Sequence, residues 1–132
     1  MSGAFMLDTD SVSFALRGEG RVGATILEHK PSELSISAIT LAELRFGSER
    51  RKSARLDKLI MAFVSNIAVM PFDEECAGVF GRIAAELAER GAPIGEFDVL
   101  IAAHAIVLDA TLVTNNVKHF KQVRSLRIEN WL

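Results

Sequence analysis

Residues 5–18 read FMLDTDSVSFALRG, and their reading decides the fold. An apolar run, Phe5-Met6-Leu7, stops abruptly at Asp8 and Asp10, and a patterned, helix-like segment follows at once. A short apolar run bounded by polar residues is a buried strand, and Gly18 is a natural helix stop. One acid at such a junction is an ordinary helix cap. Two acids one residue apart repel each other and need a further reason.

The same alternation recurs down the chain. "GATILEHKP" reads as a second helical piece ending before Pro31, and "LSISAI" as a strand reaching Thr40. "TLAELRFGSERRK" follows as a helix whose Thr40-x-x-Glu43 start has capping-box form. "SARLDKLIMAFVSNI" places Leu56, Leu59, Ile60 and Phe63 on one helical face. "AVMPF" is a strand, and Asp73 caps a helix that stops at Gly91, with Pro93 just beyond. "IGEFDVLIAAHAIVLDA" opens another helix with acids in its first turn, "TLVTNN" is a strand running into a polar turn, and "LRIENWL" is a closing strand. No repeat, low-complexity tract or linker interrupts residues 1–132, so the expectation is one domain. Strands alternating with helices predict an α/β fold, a central parallel sheet flanked by helices on both faces.

In such sheets functional groups gather beyond the carboxyl ends of the strands. Asp8 and Asp10 lie at the first such end, Glu43 just past the second and Asn115-Asn116 at the fourth; Asp98 joins them if its helix begins on the same rim. Each has a local explanation too. Asp8 or Asp10 can cap a helix, Glu43 can complete a capping box, Glu96 and Asp98 suit a helix N-terminus, and asparagines are common in turns. Together, however, they form an all-oxygen cluster whose carboxylates cannot all stay ionised without a cation. Oxygen donors without cysteine or histidine suit Mg²⁺ or Mn²⁺ better than zinc.

The histidines do not join this set. His104 lies six positions after Asp98, about 240° around a helix, and is expected to be packed or hydrogen-bonded. His29 and His119 sit in polar segments with no evident partner. Cys76 lies among apolar residues and reads as core; a lone cysteine cannot form an internal bridge, which suggests a reducing compartment. Gly47, one turn after Glu43, either permits close packing or merely weakens the helix end. With no basic N-terminal leader and no apolar run near the ~18 residues of a membrane span, the expected location is the cytoplasm.

The net charge of −2 conceals two basic stripes. One holds Arg45, Arg50, Arg51, Lys52, Arg55 and Lys58; the other holds Lys118, Lys121, Arg124 and Arg127. Each begins beside a candidate acid-site residue, so Arg45, Arg50, Lys118 and Lys121 are candidate RNA contacts, although a solvated helix face explains either stripe alone.

The motifs "FMLDTDSVSFALRG", "ITLAELRFGSERR", "PIGEFDVLIAAHA", "TLVTNN" and "LRIENWL", taken in order, resemble the PIN-domain ribonuclease toxins of the VapC family. The resemblance covers nearly the whole chain. It implies a Mg²⁺- or Mn²⁺-dependent endoribonuclease, the toxin of a type II toxin–antitoxin module, restrained by a VapB-like antitoxin and assembled as a homodimer. By motif, Asp8, Glu43 and Asp98 match the family acids and metal ligands. Asn116 falls where many members carry a fourth acid, and Asp10 where the family usually has Asn. The resemblance further implies a single-stranded RNA substrate, with the closing motifs nearest those that cut the initiator tRNA anticodon loop, and products bearing a 5′-phosphate and a 3′-hydroxyl. Two other readings remain at this point. A haloacid-dehalogenase-like phosphatase also starts with a strand and Asp-x-Asp, with Asp8 as nucleophile, and a non-catalytic module could grip RNA or an antitoxin without cutting.

Overall fold

The computed structural model describes residues 4–92 and 94–132; Pro93, expected beyond a helix stop, and the first residues of the chain lie outside them. Five strands are present: β1 (Phe5–Leu7), β2 (Leu34–Ser37), β3 (Ala68–Met70), β4 (Thr111–Val113) and β5 (Ile128–Glu129). The α-helices are α1 (Thr9–Arg17), α2 (Val22–Leu27), α3 (Ala38–Arg50), α4 (Ala54–Val64), α5 (Glu74–Glu89), α6 (Glu96–Val107) and α7 (Val117–Phe120), with a 3₁₀ turn at Pro31–Glu33. The sheet is wholly parallel in the order β3-β2-β1-β4-β5. β1 is therefore central, with Phe5 level with both Leu34 and Thr111.

Successive side chains of a strand face opposite ways, and both faces of this sheet are covered. Met6 and Leu112 pack with Ile83 and Leu87 of α5, Ile101 of α6 and Phe120 of α7. Leu7, Ile36 and Val113 pack with Val12, Val22, Leu44 and Ile60 from α1 to α4. The strands read as continuous apolar runs because burial on two faces leaves no polar side. Among the described residues no helix is long and apolar enough to cross a membrane.

Three local expectations are revised. β2 ends at Ser37 rather than Thr40, because the Ser37 hydroxyl accepts the Ile39 amide at 3.0 Å and starts α3 there. Thr40 is thus an interior helical residue, buried in register with Leu44 and Ser48 at i, i+4 and i+8. The capping box does not exist, which frees Glu43. The "TNN" turn leads into α7, a short helix the polar composition did not reveal. A Cβ on Gly47 would meet nothing within 4 Å, so that glycine serves no close packing within this chain.

Candidate active site

The carboxyl edge of the sheet gathers the predicted acids. Asp8 sits in the crevice where the chain leaves β1 and its neighbours depart in opposite directions, the usual ligand position in open α/β sheets. It is almost wholly buried. Its Oδ1 accepts the Ser11 amide at 2.8 Å, so Asp8, not Asp10, caps α1. The Ser11 hydroxyl donates to the Val113 carbonyl at 3.0 Å, which fixes this cap against β4. Asp10 is exposed in the first turn, where the helix dipole favours an acid.

Glu43 is half-buried on α3 and accepts the Thr9 hydroxyl at 2.5 Å; the same hydroxyl lies 3.3 Å from that of buried Thr40. Asp98 is half-buried in the first turn of α6. All three carboxyls are held above the usual carboxylate range, each chiefly by burial. The Thr114 hydroxyl and Ser11 pull Asp8 back down, as Thr9 does Glu43. Mutual repulsion adds to burial: Asp10 acts on all three, Asp8 on Glu43, and Glu43 on Asp98. Four acids from three elements therefore share one electrostatic field.

Among the described residues, no three His, Cys, Asp or Glu side chains close into a ready ligand cluster. The expectation that Asp8, Glu43 and Asp98 converge as a preformed three-ligand set is corrected accordingly. Bare carboxylates repel, and here Ser11, Thr114 and Thr9 hold two of them by hydrogen bonds. The donor set still fits Mg²⁺ or Mn²⁺ chemically. It consists of hard oxygens with unfavourable excess negative charge, and Mg²⁺ commonly needs only one or two carboxylates because it keeps several waters.

Asn116 lies at the start of α7, where its amide nitrogen donates to Thr114 Oγ1 at 2.9 Å. Its side-chain nitrogen is 2.8 Å from His119 Nδ1. His119 in turn lowers the pKa of Asp98. The sequence reading left His119 without a partner, yet it joins the site. His29 also has partners: it stacks on Trp131 at 4.7 Å, meets Phe5 edge-on and lies 2.9 Å from the Thr25 carbonyl. His104 is buried against Ser37 Oγ at 2.8 Å and Phe72, and Cys76 is core, both as expected.

Thr9, Ser11 and Thr114 were not foreseen as site residues. Their only sequence signal is position beside a strand-end acid. Of the basic candidates, Arg50, Lys118 and Lys121 are exposed and, among the described residues, make no ion pair. Arg45 is engaged by Asp57 across α3 and α4, which removes it as a free phosphate contact. Arg127 pairs with Asp109, ahead of β4 and thus at the opposite edge of the sheet, so the second stripe does not stay on the rim.

The PIN domain family model matches residues 5–126. The chain is 38% identical over 130 residues to ribonuclease VapC2 of Rickettsia felis, covering 96% of this chain and 97% of that protein. It is 37% identical over 128 residues to the tRNA(fMet)-specific endonuclease VapC of Shigella flexneri, with the same shares covered. Its fold matches the DNA-bound VapBC of Salmonella typhimurium with a TM-score of 0.89 at 34% identity, over the full length of both chains. The promoter-bound VapBC2 of Rickettsia felis matches at 0.87 and 35%, over 98% of this chain and 99% of that one.

Proposed function

This chain belongs to the PIN-domain family, and from that premise we propose that it is a metal-dependent endoribonuclease, the VapC-like toxin of a toxin–antitoxin pair. The observation that carries the reading is the shared field of Asp8, Glu43 and Asp98, all pushed toward protonation at the carboxyl edge of a parallel sheet. Neither the phosphatase nor the non-catalytic reading finds support in the family match or the relatives.

Asp8 and Asp98 would hold a divalent cation, Mg²⁺ or Mn²⁺, with Glu43 reaching it directly or through water. Such a cation, when bound, lowers the pKa of a water and shields the scissile phosphate. The chain's own residues prepare that chemistry. Ser11 and Thr114 aim Asp8, Thr9 aims Glu43, and Asn116 orients a water or a phosphate oxygen. Water adds to phosphorus as the bond to the 3′-oxygen breaks, leaving a 5′-phosphate and a 3′-hydroxyl. The substrate is single-stranded RNA in a loop, where bases are exposed for recognition. The name of the Shigella flexneri relative supports the initiator tRNA as that substrate.

The VapBC titles of the structural neighbours support a VapB-like antitoxin as partner. A groove of about 120 Å³ runs beside Glu43, floored by Leu16, Leu44 and Leu56 and edged by Arg51, and suits an apolar segment of such a partner. Phe46 and Met61, 66% and 53% exposed, add apolar surface on the same pair of helices, α3 and α4.

The test maps cleavage ends in total RNA incubated with the pure protein, with Mg²⁺ or with chelator, beside Asp98→Asn. Discrete new 5′-phosphate ends that need both Mg²⁺ and Asp98 are expected. Ends that persist with chelator, or in Asp98→Asn, would refute the mechanism.

A further inference from the structure

The charge that follows the acid site does not end with the lysines of α7. Beyond that helix the chain reaches Arg124, which lies 3.7 Å from Glu86 of α5. Arg90 approaches the same Glu86 carboxylate oxygen at 3.6 Å and donates to the Gln122 carbonyl at 2.6 Å, tying the end of α5 to the turn after α7. Arg82 lines the same concavity and, among the described residues, has no acid partner. The result is a pocket of about 90 Å³ in which three guanidinium groups share one carboxylate, over the buried Val123. Ser125 closes it with a left-handed backbone, φ 68°.

That arrangement has no internal reason to persist. Both contacts to Glu86 are long and partly exposed, so they stabilise the fold little. Three like charges on a protein of net charge −2 repel one another without holding any element but the Gln122 turn. A guanidinium fork matches the oxygens of a phosphate, and an excess of two positive charges in a concave site attracts one. The pocket is also continuous with Lys121 and Lys118, which lead back along α7 to Asn116 and the acids.

We propose that Arg82, Arg90 and Arg124 form a second nucleic-acid site that grips a backbone phosphate of the RNA substrate away from the scissile bond. The proposal rests on the ribonuclease reading. It adds that a structured RNA contacts the flank of the protein as well as the cleavage rim. An acidic segment of a protein partner has related chemistry, but the lysine track joining pocket and cleavage site favours the RNA.

The experiment measures binding of unfractionated tRNA and of a single-stranded hexanucleotide across a salt series, all in an Asp98→Asn background. Arg82→Gln with Arg124→Gln should weaken tRNA binding about tenfold at low salt and flatten its log–log salt slope by about 1.4 to 1.8, for two lost contacts. Hexanucleotide binding should not change, because so short a strand held at the rim does not span α7. Glu86→Gln removes the only acid in the pocket and should tighten tRNA binding severalfold, a gain that an unfolded variant could not produce. Unchanged tRNA slope in the double variant, or equal weakening of both RNAs, would overturn the remote site. So would a loss confined to antitoxin binding, which would assign the pocket to the protein partner. A parent protein that binds no RNA would overturn the ribonuclease reading along with it, whereas a parent that binds normally isolates the failure to the pocket.

Discussion

Three hydroxyls hold the acids where the acids alone would drift apart. Thr9 donates to Glu43 at 2.5 Å, a bond to a charged group that contributes about 1.5–3 kcal/mol when fully formed. Thr9→Val should lower kcat/KM roughly tenfold, within that range, with Thr9→Ser restoring most of it; initial rates on a labelled RNA decide. Asp98→Asn should separate stability from activity. It removes one of several repelling, half-buried charges, so in chelator its melting temperature should rise while cleavage disappears. A fall in melting temperature would make Asp98 a structural residue. Asp10→Asn should keep its activity, because the cap belongs to Asp8 and Asp10 faces solvent. The acids were legible in the sequence because a carboxylate at a buried strand end is rare enough to demand an explanation. The hydroxyls were not. Thr9 meets Glu43 across 34 positions, and serine and threonine are too common for such a contact to leave a local trace. His119 was missed for a related reason: its partner Asn116 read as a turn, and only α7 turns the two toward each other.

At the scale of elements the informative error is the start of α3. Ile36, Ser37, Ala38, Ile39 and Thr40 look strand-like by composition, but the chain turns helical as soon as a hydroxyl is available to cap it. The spacing of Thr40, Leu44 and Ser48 carried the helical period and was the better guide. Ser37 also meets His104, so one side chain starts α3 and anchors α6. Burial holds His104 below the ordinary histidine range, though the charge of Asp73 opposes the shift. The folded state therefore resists a proton that the unfolded chain accepts near pH 6.5, and stability present above that pH is lost as the pH falls through it. Urea midpoints at pH 7.5 and 5.5 should fall further for the parent than for His104→Gln; equal falls would show that His104 contributes nothing. Asp73, read correctly as a cap, accepts the Cys76 amide at 3.0 Å. Asp73→Ala should cost about 1 kcal/mol, read from the same midpoints.

Over the whole molecule, the parallel sheet and its two covered faces followed from the alternation of short apolar runs with helical periods. The strand order did not, because no local pattern says which strands pair. Placement of charge was half legible. Lys118 and Lys121 stay exposed near the site, whereas Arg45 and Arg127 are spent on Asp57 and Asp109. Lys118→Ala with Lys121→Ala should flatten the salt dependence of single-stranded RNA binding by up to about 1.4 units without changing Mg²⁺ affinity. Parallel salt series on an Asp98→Asn background would show otherwise if the slopes coincide. The free protein should sediment as a dimer at micromolar concentration, and a monomer there would refute the assembly proposed by family resemblance. The central position of β1 has an effect during synthesis. Asp8 is among the first residues to leave the ribosome, yet its backbone amide bonds to Val113 and its side chain to Thr114. Those partners are made more than a hundred residues later, and such long-range pairings form late in folding. A nascent chain thus carries its first acid without the strand that aims it, and it cannot cut the RNAs around the ribosome making it until nearly all of the chain has emerged.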